Sequence, residues 1–316
     1  MNLKDTKIIF FGTPEFAVPS FEALVENASV VAVVTQSDKP VGRSKELVPS
    51  PIKIAAQDHG IPVLQPEKLK GDNSVTDQLV SLHPDLFVVV AYGKIIPQDI
   101  LDIAPAINVH PSLLPELRGP SPIQTAILQG KTETGISIML LDALMDHGPV
   151  IAQERTHIGS DETCAELENR LAYESAELLL ETLDGYLSGD LVPAEQDHAK
   201  ATLCSIINKE DGVIDWSRSA LHIHNQIRAL NPWPGTSTSW KNKKLKITKS
   251  KVLNTSASTA ASDIGTIFIA ETKELAVHCK TGSLIIESLQ LEGKKELDAK
   301  EFIKGYPDFI GTTLGK

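Results

Sequence analysis

The feature that most constrains the fold is a change of periodicity along the chain. Up to about residue 150, short apolar runs alternate with stretches of helical spacing, which is typical of a parallel sheet covered by helices. Because Val88, Val89 and Val90 are consecutive β-branched residues, both faces of that sheet are expected to be buried. The predicted strands are Lys7–Phe11, Val30–Thr35, Pro62–Leu64, Leu86–Ala91 and Ala106–Val109, with Gly135–Leu141 and Val150–His157 as a hairpin at one edge.

The rest of the chain follows a different pattern. Leu and Ala at helical spacing predict a long amphipathic helix over Thr163–Tyr186, and a shorter helix is predicted over Ser219–Ala229. Short strands then recur without intervening helices, which is typical of a small antiparallel barrel. Asn254–Ser262, rich in Ser, Thr and Ala, is predicted to be a flexible loop. The predicted strands are Leu245–Thr248, Gly265–Ile269, Leu275–His278 and Ser283–Leu289.

The composition is that of an ordinary globular protein long enough for two domains. The 316 residues are 41% hydrophobic and 22% charged. We predict an α/β domain over 1–189, a linker over 190–207 and a smaller β-barrel domain over 208–316. No apolar run reaches the roughly 20 residues of a membrane span, and the first residues lack a signal-peptide core. The three cysteines fit neither a disulfide framework nor a zinc site, so a metal-free cytoplasmic protein without a membrane partner is expected.

Charge is distributed unevenly between the two parts. The chain has a net charge of −11, but residues 241–316 carry 13 Lys against 9 Asp or Glu. Lys241–Lys251 contains six lysines and no acid. In Lys244-Leu245-Lys246-Ile247 the lysines alternate with apolar residues, so a strand would present a basic row suited to a phosphate backbone, or simply a solvated face. The neighbouring Trp233 and Trp240 could stack on bases or be buried in packing.

The strongest candidate site is the segment Asn108-Val109-His110-Pro111-Ser112-Leu113-Leu114-Pro115, directly after a predicted strand. Side chains alternate on a strand, so Asn108 and His110 should project from one face at its carboxyl end, where open α/β sheets bind ligands. An amide donor beside an imidazole is suited to stabilising the oxyanion that forms when a carbonyl is attacked. The alternative is that Asn108 caps a turn and His110 is a buried core residue.

Two acids and two apolar runs bear on this site. Asp142 and Asp146 follow another apolar strand, and Asp146 could approach His110 and fix the orientation of its imidazole. Asp142 is more simply a turn or structural acid. The apolar runs 88–90 and 139–141 could line the pocket of an aromatic cofactor, or they could be ordinary core.

Two loops carry further signals. Phe11–Pro14 lies where a nucleotide-binding fold has its glycine loop, but the G-x-G-x-x-G and P-loop spacings are absent, so no nicotinamide dinucleotide is expected. This turn could lie near an anionic substrate or be purely structural. Gln36–Pro51 is a long loop with Lys39, Arg43 and Lys45, interpreted either as an arm that touches phosphates or as a solvated surface loop.

Together these segments make the chain resemble the methionyl-tRNA formyltransferase family nearly end to end. Asn-x-His-x-Ser-Leu-Leu-Pro with a downstream Asp-x-Gly resembles enzymes that use 10-formyltetrahydrofolate. The arginine-bearing loop and Asn-Pro-Trp-Pro narrow the resemblance to the tRNA-directed member, and imply a Rossmann-like formyltransferase domain followed by an OB-like barrel. The matching segments are Phe11–Pro14, Thr35–Pro51, Val88–Gly93, Asn108–Pro115, Arg118–Gln124, Glu133–Gly135, Asp142–Gly148, Ile214–Trp216 and Asn231–Pro234.

The resemblance implies roles for the candidate residues. Asn108 and His110 would stabilise the oxyanion formed when the α-amine of methionyl initiator tRNA attacks the formyl group of 10-formyltetrahydrofolate. Asp146 would hold His110 and help to move the proton, and the enzyme would be a monomer. The implied folate-binding residues are Ser112, Leu113, Leu114, Pro115, Phe87, Val89, Tyr92, Leu140 and Asp142. The implied tRNA-binding residues are Arg43, Lys45, Lys241, Lys243, Lys244 and Lys246.

Three alternatives remain at this stage. A formyltransferase acting on a small amine, such as an amino-sugar nucleotide, would share Asn108, His110 and Asp146 but would not need the Arg43 loop or the lysine row. A formyltetrahydrofolate hydrolase would use water in place of the amine. A catalytically inactive RNA-binding module would not need the three site residues.

Overall fold

The computed structural model describes residues 2–41, 46–258, 260–261 and 263–315, and their side chains except those of residues 41 and 254–258. Arg43 and Lys45, predicted to contact tRNA, lie outside the described residues. The chain divides into two compact units, and most of the predicted linker belongs to the first of them. Unit 1 comprises Met1–Pro122, Glu133–His157 and Glu168–Ser205, and unit 2 comprises Ile123–Thr132, Ile158–Leu167 and Ile206–Lys316.

Strands and helices alternate along the first part of the chain, as the periodicity predicts. Polar side chains cap the N-termini of two helices. Ser50 accepts a hydrogen bond from the Lys53 N–H, and Asp72 caps the helix that begins at Asn73. The elements are β1 (Lys7–Gly12), α1 (Val18–Asn27), β2 (Ser29–Val34), β3 (Lys39–Val41), β4 (Glu46–Val48), α2 (Pro51–Asp58), β5 (Val63–Leu64), α3 (Asn73–Ser81), β6 (Leu86–Val90), α4 (Gln98–Leu101), β7 (Ala106–His110), α5 (Pro122–Leu128), β8 (Glu133–Leu140), β9 (Val150–His157) and α6 (Cys164–Ser188).

The main sheet of unit 1 has the strand order β5-β2-β1-β6-β7-β8-β9 among the described residues. The first five strands are parallel, and β8 and β9 are antiparallel. The mostly parallel, Rossmann-like sheet and the edge hairpin are therefore confirmed. From β1 the chain adds β2 and β5 on one side, whereas β6 and β7 lie on the other side of β1. Open α/β sheets bind ligands outside the carboxyl ends of the strands where the strand order switches sides in this way.

Apolar burial explains why these segments become central strands. Every side chain of β6 and of β7 is buried, and β1 is buried from its second residue onward. Phe11 packs edge-on against Phe87 and Tyr92 at ring distances of 5.3 and 5.5 Å. β7 therefore lies between β6 and β8 with both faces buried, and pairing to these two strands positions its carboxyl end.

Unit 2 contains an antiparallel sheet around its own core. The sheet order is β10-β11-β14-β13-β12 with β15 paired to β14. Residues of the C-terminal segment bridge the two outer strands, because the Ile267 N–H donates to Thr312 and the Gly315 N–H donates to Ser239. The predicted small β domain is confirmed. Its elements are α7 (Ala220–Ala229), β10 (Thr236–Trp240), β11 (Lys243–Ser258), β12 (Ile267–Ile269), β13 (Leu275–His278), β14 (Thr281–Leu291), β15 (Glu296–Asp298) and α8 (Ala299–Gly305).

Two predicted loops contain regular structure. The Gln36–Pro51 segment includes the antiparallel pair β3 and β4, whose register joins Lys39 to Val48. The loop prediction over Asn254–Ser262 is wrong for residues 254–258, because β11 continues to Ser258 and pairs there with Thr281 of β14. Polar composition misled the prediction, since backbone pairing to β14 does not depend on apolar side chains. None of the helices in the described residues combines the length and the hydropathy of a membrane span.

Candidate active site

The loop after β7 returns to the strand and fixes the tautomer of His110. The His110 ring is buried, and its Nε2 lies 3.0 Å from the carbonyl oxygen of Leu117. A carbonyl oxygen can only accept, so Nε2 carries the proton of the neutral ring and Nδ1 carries the lone pair. The neutral ring therefore presents Nδ1 as its acceptor atom.

Asp146 faces that nitrogen. Its Oδ2 lies 3.7 Å from Nδ1 of His110, and the same oxygen accepts a hydrogen bond from the Gly119 N–H at 2.7 Å. Asp146 itself adopts the left-handed backbone conformation, with φ of 49°. The carboxylate therefore lies close enough to offset a positive charge on the imidazole while its position is fixed by the backbone of the returning loop.

Asn108 lies two residues before His110 on β7, so the two side chains leave the strand on the same face. The Asn108 side chain is 9% exposed. Within the described part of the chain its amide has no hydrogen-bond partner, and it is not among the fully buried polar atoms that lack one. The amide of this largely buried residue therefore still reaches the surface and is suited to a polar ligand. A turn-capping role for Asn108 is therefore not supported.

Two side chains of the edge hairpin hold the backbone of the segment Ser112–Pro115. The Ser137 hydroxyl donates to the Ser112 carbonyl at 2.6 Å and accepts from the Leu114 N–H at 3.0 Å. Gln153 of β9 donates to the Leu114 carbonyl and to the Ser137 hydroxyl. These bonds set the path of the loop, and they come from residues that the sequence analysis did not single out.

A polar network lies on the other side of Asp146. The Arg118 guanidinium donates to Oε1 of Gln196 at 2.6 Å and to Nδ1 of His198 at 2.9 Å. Gln196 in turn donates to the carbonyls of Asp146 and Gly148 at 3.0 and 2.8 Å. Arg118 is buried, and these partners are neutral groups that do not cancel its charge. The network therefore places a buried cation beside the site.

The residues predicted to bind folate divide into two groups. Phe87 is fully buried, and Val89 and Tyr92 belong with it to the hydrophobic core that includes Phe11. Leu140 is partly exposed, and Asp142 accepts a hydrogen bond from the Leu144 N–H and pairs with Nδ1 of His147 at 2.7 Å. His147 stacks on His198 with ring centroids 4.0 Å apart.

The first group thus forms the apolar layer beneath the carboxyl ends of the strands rather than an accessible surface. Burial raises the pKa of Tyr92 to about 12, and its hydroxyl has no partner within the described part of the chain. The second group lies on the partly exposed turn that also carries Asp146.

Sequence reasoning missed the residues contributed by the predicted linker. Thr202 accepts from the Leu117 N–H through its hydroxyl, and the Cys204 N–H donates to the Arg118 carbonyl at 2.8 Å. Gln196 lies in the same stretch. No motif marks these positions, because they act through a returning chain segment whose pairing depends on the three-dimensional fold. The only available signal was Arg118 itself, an arginine in a proline-rich loop.

The lysines of unit 2 differ in their surroundings. Lys243, Lys244 and Lys246 are exposed at the start of β11, whereas the alternating Leu245 and Ile247 are buried. Within the described part of the chain, these three ammonium groups have no ion-pair partner.

The other lysines of this region are paired with acids. Lys241 pairs with Asp308, and its ammonium lies 4.8 Å from the Trp240 ring centre. Lys251 and Lys249 both approach Glu287. The predicted basic row therefore exists, but acids from other parts of unit 2 offset part of it.

The two tryptophans also separate. Trp240 is 4% exposed and packs against Phe309 in the core of unit 2, so of the two interpretations buried packing holds for Trp240. Trp233 is 57% exposed. Among the described residues, no group of three His, Cys, Asp or Glu side chains comes together as a metal site would require.

The site in unit 1 can donate to a developing negative charge and relay a proton. Asn108 offers an amide that has no partner among the described residues, and Nδ1 of His110 can accept a proton next to the Asp146 carboxylate. Burial strengthens such interactions because the surrounding dielectric is low. The arrangement suits attack by a nucleophile on a polarised carbonyl, with one proton to be moved.

Comparison with known proteins assigns this chain to a family. The formyl transferase family model matches residues 6–183, and the formyl transferase C-terminal domain model matches residues 206–307. The methionyl-tRNA formyltransferase of Citrifermentans bemidjiense is 44% identical over 98% of this chain and 96% of its own length. The enzyme of the same name from Roseiflexus castenholzii is also 44% identical, over 98% and 99%.

Solved structures share the fold at lower identity. WlaRD, a sugar 3N-formyl transferase, superposes with a TM-score of 0.66 at 20% identity, over 93% of this chain and all of its own. HypX from Aquifex aeolicus in complex with tetrahydrofolic acid superposes with a TM-score of 0.62 at 15% identity, over 97% of this chain and 48% of its own. The two family models and the near full-length relatives agree, and the chain belongs to the methionyl-tRNA formyltransferase family.

Proposed function

We propose that this protein transfers the formyl group of 10-formyltetrahydrofolate to the α-amino group of methionyl initiator tRNA, giving N-formylmethionyl-tRNA for translation initiation. The observation that carries the proposal is the Asn108 amide, without a partner in the described chain, on the same strand face as His110, whose Nδ1 faces the Asp146 carboxylate. In a member of this family, that arrangement matches a reaction in which a carbonyl oxygen gains charge and a proton changes place.

The bound folate supplies the formyl carbon, and the reaction forms an amine–carbon bond and breaks the carbon–N10 bond while one proton moves from amine to N10. The Asn108 amide N–H donates to the formyl oxygen as its charge grows. Nδ1 of His110 accepts the amine proton and returns it to the leaving nitrogen, and in its protonated form donates toward the same oxygen. Asp146 offsets the transient charge on the imidazole. Nε2 remains bound to the Leu117 carbonyl throughout.

The folate site is proposed to lie along Ser112, Leu113, Leu114 and Pro115 and the turn that follows Leu140. The backbone of this loop is fixed by Ser137 and Gln153, which supports presentation of its polar groups to a flat ring. Asp142 borders the same turn. Phe87, Val89 and Tyr92 are proposed as the apolar floor beneath the ring, since all three belong to one buried cluster.

The tRNA is proposed to bind through the Arg43 and Lys45 loop and through the lysines of unit 2. Lys243, Lys244 and Lys246 support this role most strongly, because their exposed ammonium groups have no ion-pair partner among the described residues. Lys241 is proposed to contribute less because it pairs with Asp308. Lysines that neutralise phosphates release counterions, so the affinity should fall steeply with salt. We further propose that the enzyme acts as a monomer in the cytoplasm, where its tRNA substrate is made.

The experiment offers 10-formyltetrahydrofolate with one of three acceptors: methionyl initiator tRNA, an amino-sugar nucleotide, or water alone. We expect formylmethionyl-tRNA as the product and negligible turnover in the other two reactions. Formylation of the sugar nucleotide, or release of formate without an amine, would assign the site to a different member of the formyltransferase superfamily.

A further inference from the structure

We propose that Gln196 is a positioning residue for the formyl-transfer site, holding the Asp146 carboxylate against His110 through the backbone on either side of it. This inference rests on the proposed function only in that Asp146 acts on His110. It concerns a residue of the segment predicted as a linker, which no sequence motif marks.

The Gln196 side chain uses both ends of its amide. It is 8% exposed, and Nε2 donates to the Asp146 carbonyl at 3.0 Å and to the Gly148 carbonyl at 2.8 Å. Oε1 accepts from Nε and from one terminal nitrogen of Arg118 at 3.1 and 2.6 Å. The amide therefore joins the turn that carries Asp146 to the loop that returns from β7.

The turn needs such support because its conformation is unfavourable in isolation. Asp146 has a φ of 49°, in the left-handed region that residues other than glycine adopt only occasionally. Gly148 leaves no room for a side chain, since an added Cβ would lie 2.1 Å from the Leu140 carbonyl. Two hydrogen bonds to the carbonyls of residues 146 and 148 hold the peptides around this conformation.

The Gln196 amide also supports the segment that binds the Asp146 carboxylate. Arg118 precedes Gly119, whose N–H donates to Asp146 Oδ2 at 2.7 Å. Gly119 itself has a φ of 121°, and an added Cβ would lie 2.5 Å from the Cys204 carbonyl. Gln196 therefore ties together the backbone that carries Asp146 and the backbone that binds its carboxylate, and both determine the 3.7 Å approach to His110.

Glutamine suits this position because its amide accepts on one side and donates two hydrogens on the other. Gln196→Glu keeps the acceptor for Arg118 and nearly the same shape but removes the N–H donors, leaving a carboxylate against two carbonyls. Gln196→Met removes both functions at similar volume. We expect both variants to lower kcat roughly tenfold or more, because a displaced catalytic group loses its aligned geometry, with KM for either substrate changing less than about twofold.

Gln226 provides a matched control in unit 2. It is 9% exposed, and its Nε2 also donates to two backbone carbonyls, those of Asp211 and Val213, at 2.7 and 3.0 Å. Gln226→Glu should lower the melting temperature about as much as Gln196→Glu while leaving kcat unchanged. A fall in kcat that merely followed reduced stability would appear equally in both variants.

The deciding measurement is a double-mutant cycle with Asp146→Asn, using single-turnover rates under saturating substrates. If Gln196 acts through Asp146, adding Gln196→Glu to Asp146→Asn should cause less than about a twofold further loss. Losses that multiply, or a Gln196→Glu variant with the wild-type kcat, would overturn the proposal. The cycle uses whichever acceptor the wild type formylates, or hydrolysis if no amine is formylated. Activity with an acceptor other than methionyl initiator tRNA would therefore contradict the proposed function, and the cycle would still test the role of Gln196.

Discussion

The loop after β7 and the lysine strand β11 were both predicted to be functional, and the structure builds them in opposite ways. At the loop, His110 and Arg118 are buried and their polar atoms have defined partners. On β11, Lys244 and Lys246 are exposed and their positive charge is spread over a surface. One region depends on the exact position of single atoms, and the other on the number of charges.

This difference determines how each region should respond to change. A buried hydrogen bond to a reacting atom is lost entirely when one partner is removed. The contribution of one exposed charge is reduced by screening, and neighbouring charges of the same sign can partly replace it. Single substitutions at the loop should therefore act on kcat, and substitutions on β11 should act on tRNA affinity and its dependence on salt. Variants in the two regions test that distinction.

The largest effect is expected for Asn108→Ala. Loss of a donor to a developing oxyanion typically costs about 10²–10³ in kcat. The melting temperature should stay nearly unchanged, because within the described part of the chain the Asn108 amide has no hydrogen-bond partner to lose. Steady-state kinetics and thermal denaturation of the same preparation measure both quantities.

Asn225→Ala is the matched control for this change. Asn225 is 4% exposed in unit 2, and its amide oxygen accepts from Nε of Arg228 at 3.0 Å. Its removal should cost stability, about 1–3 kcal/mol for a buried group left unpaired, without changing kcat. An Asn108→Ala variant that behaved like Asn225→Ala would show that Asn108 has a structural role.

An intermediate effect is expected on the lysine strand. The double variant Lys244→Ala/Lys246→Ala should weaken tRNA binding severalfold and reduce the slope of log affinity against log salt by about 1 for each phosphate that is no longer neutralised. Lys251→Ala should change the slope less, because the Lys251 ammonium pairs with Glu287 at 2.6 Å. Binding titrations at several salt concentrations measure these slopes.

The kcat at saturating tRNA should remain within about twofold in both lysine variants, because these lysines are proposed to bind the tRNA and not to take part in the chemical step. Equal slopes for the paired and unpaired lysines would contradict the assignment of the unpaired groups as the main RNA-binding charges. A large loss of kcat at saturation would break the proposed division of labour between the two regions.

The smallest effect concerns stability at alkaline pH. Burial raises the pKa of Tyr92 in unit 1 and that of the Cys279 thiol in unit 2, each to about 12. Each folded-state pKa lies above its unfolded value, so this contribution is complete at low pH and is lost as pH rises toward 12. For Tyr92 the loss begins near pH 10, and for Cys279 near pH 9.

Denaturant unfolding between pH 8 and 11 tests this prediction, within the window fixed by the shifts toward 12. Tyr92→Phe should flatten the decline above pH 10 and leave stability at pH 7 unchanged or slightly higher, because the hydroxyl is unpaired within the described chain. Cys279→Ala should flatten the decline from about pH 9 at some cost in packing. A decline of unchanged slope in both variants would mean that other groups govern alkaline unfolding.

Local patterns predicted the parts of the molecule that depend on local rules. Continuous β-branched residues predicted β6, and alternation predicted that Asn108 and His110 share a face and that Leu245 and Ile247 are buried between lysines. Proximity of Asp146 to His110 could only be suggested, because it depends on the hairpin β8–β9 returning beside β7.

What the sequence did not reveal depends on contacts between distant segments. Gln196 and Thr202 lie in a stretch whose composition indicates a linker, yet both hydrogen-bond to the backbone of site loops. Acids distant in sequence, Asp308 and Glu287, offset lysines that appear unopposed along the chain. The sequence also could not decide whether Trp240 is buried or stacks on bases, because core packing and base stacking use the same residue type.

The most direct test of the account is the single-turnover rate of formyl transfer to methionyl initiator tRNA by the His110→Ala variant at saturating folate and tRNA. The account predicts that the wild type forms formylmethionyl-tRNA and that the variant is slower by about 10²-fold or more while binding tRNA with unchanged affinity. A variant rate within about threefold of the wild type would contradict the role of the buried imidazole.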